Sequence, residues 1–124
     1  MNEFNSIVLA YIGDSVYELY VRNYLINKNI SKVNDLQKEA KKYVSAKSQA
    51  LFLKNMIDNN FFNEEEIEIL KRARNSKTNS KPKNTDILTY KHSTALEALI
   101  GYCYINNNIE RNDQIMNYIW SIKW

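Results

Sequence analysis

Glycine and proline are almost absent from this chain, whose 124 residues contain two glycines and one proline. Turns between β-strands depend on these residue types, so a chain with so few of them lacks the breaks that a β-protein needs. The sequence therefore predicts an all-α fold. The length is typical of one domain and is sufficient for a hydrophobic core, so we expect a single domain over residues 1–124.

Both glycines lie within apolar helical stretches, and each stretch also carries an acid. Gly13 directly precedes Asp14, and Gly101 lies one turn after Glu97. Glycine inside a helix costs about 1 kcal/mol relative to alanine, so its presence needs a structural reason. We expect that reason to be a close approach of two helix backbones, which would bring Asp14 and Glu97 together.

Apolar periodicity and capping residues divide the chain into helical segments. We expect helices over about 5–27, 33–57 with a bend near 44–46, 64–75, 88–104 and 109–120. In the first of these helices, a buried stripe is predicted from the spacing of Val8, Ile12, Val16 and Leu19. Segment 76–84 is polar and contains the proline, so we predict an internal loop there.

Basic charge is concentrated in one part of the chain. Seven lysines and arginines and one aspartate lie between residues 71 and 92, which gives this segment a net charge of +6 against +3 for the whole chain. Such a segment is typical of proteins that bind the phosphate backbone of a nucleic acid, although many charge runs are only solvated surfaces.

Apolar runs are too short to cross a membrane and no basic secretory signal begins the chain, so we expect a cytoplasmic protein with no membrane partner.

An aspartate and a glutamate held close together have the chemistry of a Mg²⁺ site. This ion takes oxygen ligands and commonly uses one or two protein carboxylates together with waters and substrate phosphates. Glu18, one turn beyond Asp14, is a further candidate for the site. Its alternative role is an ordinary ion pair with Arg22 four residues later.

Two acidic motifs resemble those of a known enzyme family. Residues 10–18, Ala-Tyr-Ile-Gly-Asp-Ser-Val-Tyr-Glu, resemble the first acidic motif of ribonuclease III catalytic domains, and residues 96–101, Leu-Glu-Ala-Leu-Ile-Gly, resemble the second. Further blocks resemble the Mini-ribonuclease III family, in that family's order: 13–22, 43–47, 72–77, 82–84 and 89–92. Full-length ribonuclease III enzymes carry extra acids where this chain has Ile7, Ala10 and Thr94, and the mini-enzymes share this thinner set.

The resemblance implies a ribonuclease III endonuclease-domain fold, a helical bundle that forms a homodimer with a double-stranded RNA groove across both subunits. It implies Mg²⁺-dependent hydrolysis, with Mn²⁺ as an alternative ion, that leaves 5′-phosphate and 3′-hydroxyl ends. The implied substrate is the precursor of 23S (large-subunit) ribosomal RNA, and a ribosomal protein is a candidate activator. Catalysis and metal binding are assigned to Asp14 and Glu97, with Glu18 as a candidate third ligand. The predicted RNA contacts are Arg72, Arg74, Lys77, Lys81, Lys83 and Lys91.

Two other functions stay open at this point. The first is a homodimer of the same fold that binds double-stranded RNA without cutting it, and the presence of both acids argues against it. The second is a helical scaffold that binds no RNA, which would leave the basic segment unexplained.

Overall fold

The computed structural model describes residues 4–76 and 86–123, and these residues form six α-helices and no β-strand. The helices are α1 (Ser6–Ile26), α2 (Val33–Val44), α3 (Ala46–Asp58), α4 (Glu64–Arg74), α5 (Ile87–Ile105) and α6 (Ile109–Ser121). The prediction of an all-α fold is confirmed. None of the helices in this described part of the chain is long and apolar enough to span a membrane.

Polar side chains cap the starts of several helices, as the sequence predicts. At α4, Asn63 and Glu66 form a reciprocal capping box in which each side chain accepts the backbone N–H of the other. At α5, Asp86 accepts the backbone N–H of Thr89. The bend expected near 44–46 is a complete break between α2 and α3 at Ser45. Local capping therefore sets these helix boundaries.

Helix α5 is the centre of the domain, and it packs against α1, α3, α4 and α6. Its buried residues lie on every side of the helix, and Leu96, Leu99 and Ile100 are fully inaccessible to solvent. A helix that is apolar all round is typical of the inside of a helical bundle. Glu97 is therefore carried by the most enclosed helix of the fold.

The most extensive helix pair, α1 with α5, meets backbone to backbone at the two glycines. A Cβ atom on Gly13 would lie 1.7 Å from the carbonyl oxygen of Glu97, and one on Gly101 would lie 2.0 Å from the carbonyl oxygen of Leu9. Neither position has space for a side chain. These reciprocal contacts place the two helices antiparallel, and they confirm the predicted close approach.

The buried face of α1 is different from the predicted stripe. Val8 and Leu19 are 47% and 69% exposed. The residues that are buried instead, at a spacing of four, are Leu9, Gly13, Tyr17 and Val21. Since α1 is apolar on several sides, periodicity alone does not identify its inner face. The glycine contact with α5 identifies it, because it forces the face that contains Gly13 inward.

Candidate active site

Asp14 and Glu97 meet where α1 crosses α5. Their carboxyl groups are close enough to share a hydrogen bond. Gly13 lies against the backbone carbonyl of Glu97, so the same contact that requires glycine also places the neighbouring Asp14 beside the Glu97 side chain. Asp14 is exposed and Glu97 is partly buried. The acid pair, which we define as Asp14 and Glu97, therefore lies at the edge of the core, and Asp14 is its more exposed member.

The environment of Glu97 strongly favours its neutral form. Its pKa is raised from 4.5 to about 8, first by burial and then by the hydrogen bond and negative charge of Asp14. The Gln49 amide lowers this pKa and the charge of Glu18 raises it. Two carboxyl groups that share a site are difficult to ionise together. At neutral pH and without metal, the acid pair therefore holds a proton.

Two neutral polar side chains of the core complete the surroundings of Glu97. Gln49 on α3 donates a hydrogen bond from Nε2 to Glu97 Oε2 over 3.4 Å, and the Ser93 hydroxyl donates to Gln49 Oε1. Neither residue was among those predicted from the sequence. The sequence does contain an indication that Gln49 is buried. Gln49 precedes Phe52 and Leu53 by three and four residues, so it lies on the apolar face of α3. A buried polar side chain at such a position needs hydrogen-bond partners.

Glu18 forms an ion pair with Arg22 at 3.0 Å, and both side chains are well exposed. Its negative charge adds to the raised pKa of Glu97. Within residues 4–76 and 86–123, no group of three or more His, Cys, Asp and Glu side chains is placed to hold a metal ion. Glu18 as a third ligand stays a prediction, and the acid pair provides the two carboxyl groups that lie together.

The acid pair fits a hard divalent cation. Two carboxylates are a usual protein contribution to a Mg²⁺ site, where waters and substrate phosphates provide the remaining ligands. A cation beside both groups would replace the proton that Glu97 holds and would remove the repulsion between the ionised carboxylates. Mg²⁺ binding is therefore expected to release a proton.

Three of the six predicted RNA contacts belong to the described residues. Arg72 and Arg74 are exposed in the last turn of α4, and Lys91 is partly exposed in α5, about two turns before Glu97. The pKa of His92 is lowered by burial and then by the charge of Arg74, so the end of α4 lies beside the first half of α5. The other three predicted contacts lie outside the described residues: Lys77, Lys81 and Lys83.

Replacing Glu97 with glutamine should stabilise the metal-free fold at alkaline pH. Because the folded state binds a proton more tightly than the unfolded chain, this carboxyl lowers the free energy of unfolding as the pH rises from 4.5 to about 8. We expect Glu97→Gln to be more stable than the parent by about 2 kcal/mol at pH 9, less than the full pKa shift implies because the group is only partly buried. Urea unfolding in EDTA at pH 5 and pH 9 measures this, and an equal difference at both pH values would contradict it.

Known proteins match this chain over nearly its whole length. The model of the ribonuclease III domain family matches residues 7–108, a range that contains both acids. Mini-ribonuclease 3 of Staphylococcus aureus is 48% identical over 118 residues, which are 95% of this chain and 88% of that protein. Mini-ribonuclease 3 of Streptococcus pneumoniae is 43% identical over 118 residues, which are 95% of this chain and 92% of that protein. A crystal structure of a Fusobacterium nucleatum protein aligns with a TM-score of 0.86 at 34% identity, covering 96% of this chain and 95% of that one.

Proposed function

This chain belongs to the ribonuclease III domain family and is an endoribonuclease, and we propose that it cleaves double-stranded RNA with Mg²⁺ held by Asp14 and Glu97. The observation that carries the proposal is the acid pair itself, formed by two motifs that are 83 residues apart in the sequence and whose carboxyl groups lie within hydrogen-bonding reach in the fold. Mn²⁺ is expected to substitute for Mg²⁺, since both accept carboxylate, water and phosphate oxygens.

The role of the protein in this reaction is to position charge. When bound, the ion would lower the pKa of a water molecule and stabilise negative charge on the phosphodiester. The carboxyl groups of Asp14 and Glu97 lie together because the backbones of α1 and α5 are in contact at Gly13. Attack of water on phosphorus with departure of the 3′ oxygen leaves a 5′-phosphate and a 3′-hydroxyl, and no covalent intermediate with the protein is required.

Basic side chains near α5 would hold the RNA against this acidic site. Arg72 and Arg74 are exposed at the end of α4, which lies beside the first half of α5, and Lys91 is on α5 itself. We include the other three predicted contacts in the same role: Lys77, Lys81 and Lys83. Double-stranded RNA presents phosphates and 2′-hydroxyls across its wide minor groove, so recognition should depend on shape more than on base sequence.

A homodimer is the assembly that we propose. One face of α1 carries an exposed apolar stripe formed by Val8, Tyr11 and Leu19, and Phe4 continues it at the N-terminal end. Tyr11 is 81% exposed, which is unusual for a large aromatic side chain. Several large apolar side chains exposed on one helix face are a feature of interaction sites. Because the stripe runs along the helix that carries Asp14, a second copy packed on it would bring the two acid pairs into one assembly.

Changing Tyr11 to lysine should convert the dimer to a folded monomer. The substitution places a charge in the centre of the apolar stripe, where burial against a second copy would leave that charge unpaired. Sedimentation velocity of the parent and of Tyr11→Lys measures the effect. Ile109→Lys is the matched control, because Ile109 is also exposed, at 59%, but lies on α6. The homodimer is refuted if the parent sediments as a monomer, or if Ile109→Lys dissociates and Tyr11→Lys does not.

The precursor of 23S ribosomal RNA is the substrate that we propose, in the cytoplasm and with a ribosomal protein as a candidate activator. The support for this is the resemblance of the sequence blocks to the Mini-ribonuclease III family. Cells that lack this chain should accumulate large-subunit ribosomal RNA with unprocessed ends, which primer extension detects. Normal ends in such cells would exclude this substrate and leave the duplex-cleaving activity itself untouched.

Cleavage of a long RNA duplex by the purified chain tests the proposed activity directly. We expect cutting in Mg²⁺ and in Mn²⁺, no cutting in EDTA, and no cutting of single-stranded RNA or of a DNA duplex. The products should accept ligation through their 5′-phosphates without prior kinase treatment. Duplex binding without cutting in any of these ions would refute the proposal in favour of a non-catalytic RNA-binding homodimer.

A further inference from the structure

Gln49 is a fully buried polar residue that the proposed chemistry does not use. It is 1% exposed, and its neighbours on the buried face of α3 include Phe52, Leu53 and Met56. We propose that Gln49 is a positioning residue, which fixes the orientation of the Glu97 carboxyl group toward Asp14. This inference rests on the proposed function, because it assigns Gln49 a role in the same acid pair.

The hydrogen bonds of Gln49 define which end of its amide faces Glu97. The Ser93 hydroxyl donates to Oε1, so Nε2 with its two N–H groups lies toward Glu97, 3.4 Å from Oε2. The reversed amide would place Oε1 against a carboxyl oxygen, and these two acceptors would repel each other once Glu97 is ionised. Only the arrangement with Nε2 toward Glu97 suits a carboxylate that binds a cation.

Three helices contribute to this arrangement. Ser93 and Glu97 are four residues apart on α5 and therefore share one face, and the single amide from α3 reaches both of them. Asp14 approaches Glu97 from α1. The last torsion of a glutamate side chain has a broad, weakly restricted distribution, so a carboxyl group without a fixed partner can rotate. A hydrogen bond from Gln49 to one oxygen restricts this rotation.

A neutral donor is well suited to this position. A lysine or arginine would neutralise the acid pair and compete with the cation, whereas another carboxylate would increase the repulsion between acids. An amide orients the carboxylate without cancelling its charge. Hydrogen-bond partners of this kind commonly change metal affinity or activity by about 10- to 100-fold when they are removed.

Gln49→Met tests the role most directly, because methionine is unbranched and of similar length but cannot form either hydrogen bond. We expect kcat on duplex RNA to fall about 10- to 100-fold and KM for the duplex to stay the same. A crystal structure of this variant should show the Glu97 carboxyl group rotated or in more than one orientation. Ser93→Ala keeps the amide but removes the hydroxyl that fixes its direction, so it should show a smaller loss of kcat, also without a change in KM.

Asn112→Leu is the matched control for a buried amide. Asn112 is 2% exposed and donates from Nδ2 to the carbonyl oxygen of Ile100 over 3.1 Å, so its replacement should lower stability while kcat stays at the parent value. The proposal is overturned if Gln49→Met retains the parent kcat and Glu97 orientation, or if Asn112→Leu loses as much kcat as Gln49→Met.

If Gln49→Met does not fold, Ser93→Ala tests the role of Gln49. A lower kcat at unchanged KM, with a rotated Glu97 carboxyl group, would support the role. Parent kcat and parent Glu97 orientation would overturn it. A parent chain that does not cleave duplex RNA would refute the proposed function instead. In that case the crystal structure of the variant still decides whether Gln49 orients Glu97.

Discussion

Asp14→Asn and Glu97→Gln should each lower the rate of duplex RNA cleavage by about a thousandfold or more. The interaction of a bound ion with the charge that develops on the phosphate contributes several kcal/mol, and a loss of about 4 kcal/mol corresponds to roughly a thousandfold in rate. Each substitution replaces one of the two charged ligands of the acid pair with a neutral amide. Duplex affinity in EDTA should not fall with either change, because neither substitution adds a negative charge near the RNA backbone.

Single-turnover cleavage at saturating enzyme measures the rate, and fluorescence anisotropy in EDTA measures the affinity. Asp58→Asn and Glu110→Gln are the matched controls, since both residues are exposed acids on other helices, α3 and α6. These controls should cut at the parent rate. An acid-pair variant that cuts as fast as its control would remove that residue from the proposed site. Loss of binding together with cutting would indicate a folding defect, which circular dichroism would reveal.

The helix boundaries were predictable because they depend on neighbours in the sequence. Asn63 and Asp86 cap the residues that follow them, so these two boundaries are encoded within a few positions. At Ser45 the sequence predicted only a bend, and the structure has a complete break between two helices. The acid pair was predictable for a different reason. A chain with only two glycines has few sites where helix backbones can touch, and both glycines lie within one turn of an acid.

The inner face of α1 and the role of Gln49 were not predictable in the same way. α1 has apolar residues on several sides, and the contact with α5 selects among them, so the answer depends on a partner more than 80 residues away. Gln49 could be recognised as a buried polar residue at an apolar position of its helix. Its partners, Ser93 and Glu97, become evident only when α3 and α5 are packed together.

Gly13→Ala should destabilise the fold and reduce cleavage together, although alanine is the better helix former by about 1 kcal/mol. The added Cβ would lie 1.7 Å from the carbonyl oxygen of Glu97, 2.7 Å from its carbonyl carbon and 2.9 Å from the backbone nitrogen of Gly101. All three atoms belong to the backbone of the central helix, so no side chain can rotate away to make space. Helices α1 and α5 would have to move apart.

We expect the free energy of unfolding of Gly13→Ala to fall by about 3 kcal/mol, at the upper end of the usual cost of overpacking. Separation of the helices would also move Asp14 from Glu97, and a displacement of about 1 Å can reduce a rate a hundredfold. Urea unfolding and single-turnover cleavage at a temperature where the variant stays folded measure the two effects. Asn23→Ala is the matched control, because Asn23 is exposed on the same helix and its replacement by alanine also raises helix propensity, by a somewhat smaller amount. If Gly13→Ala is as stable as Asn23→Ala, helices α1 and α5 do not approach as closely as described. The contact at Gly13 would then not explain why Asp14 lies beside Glu97.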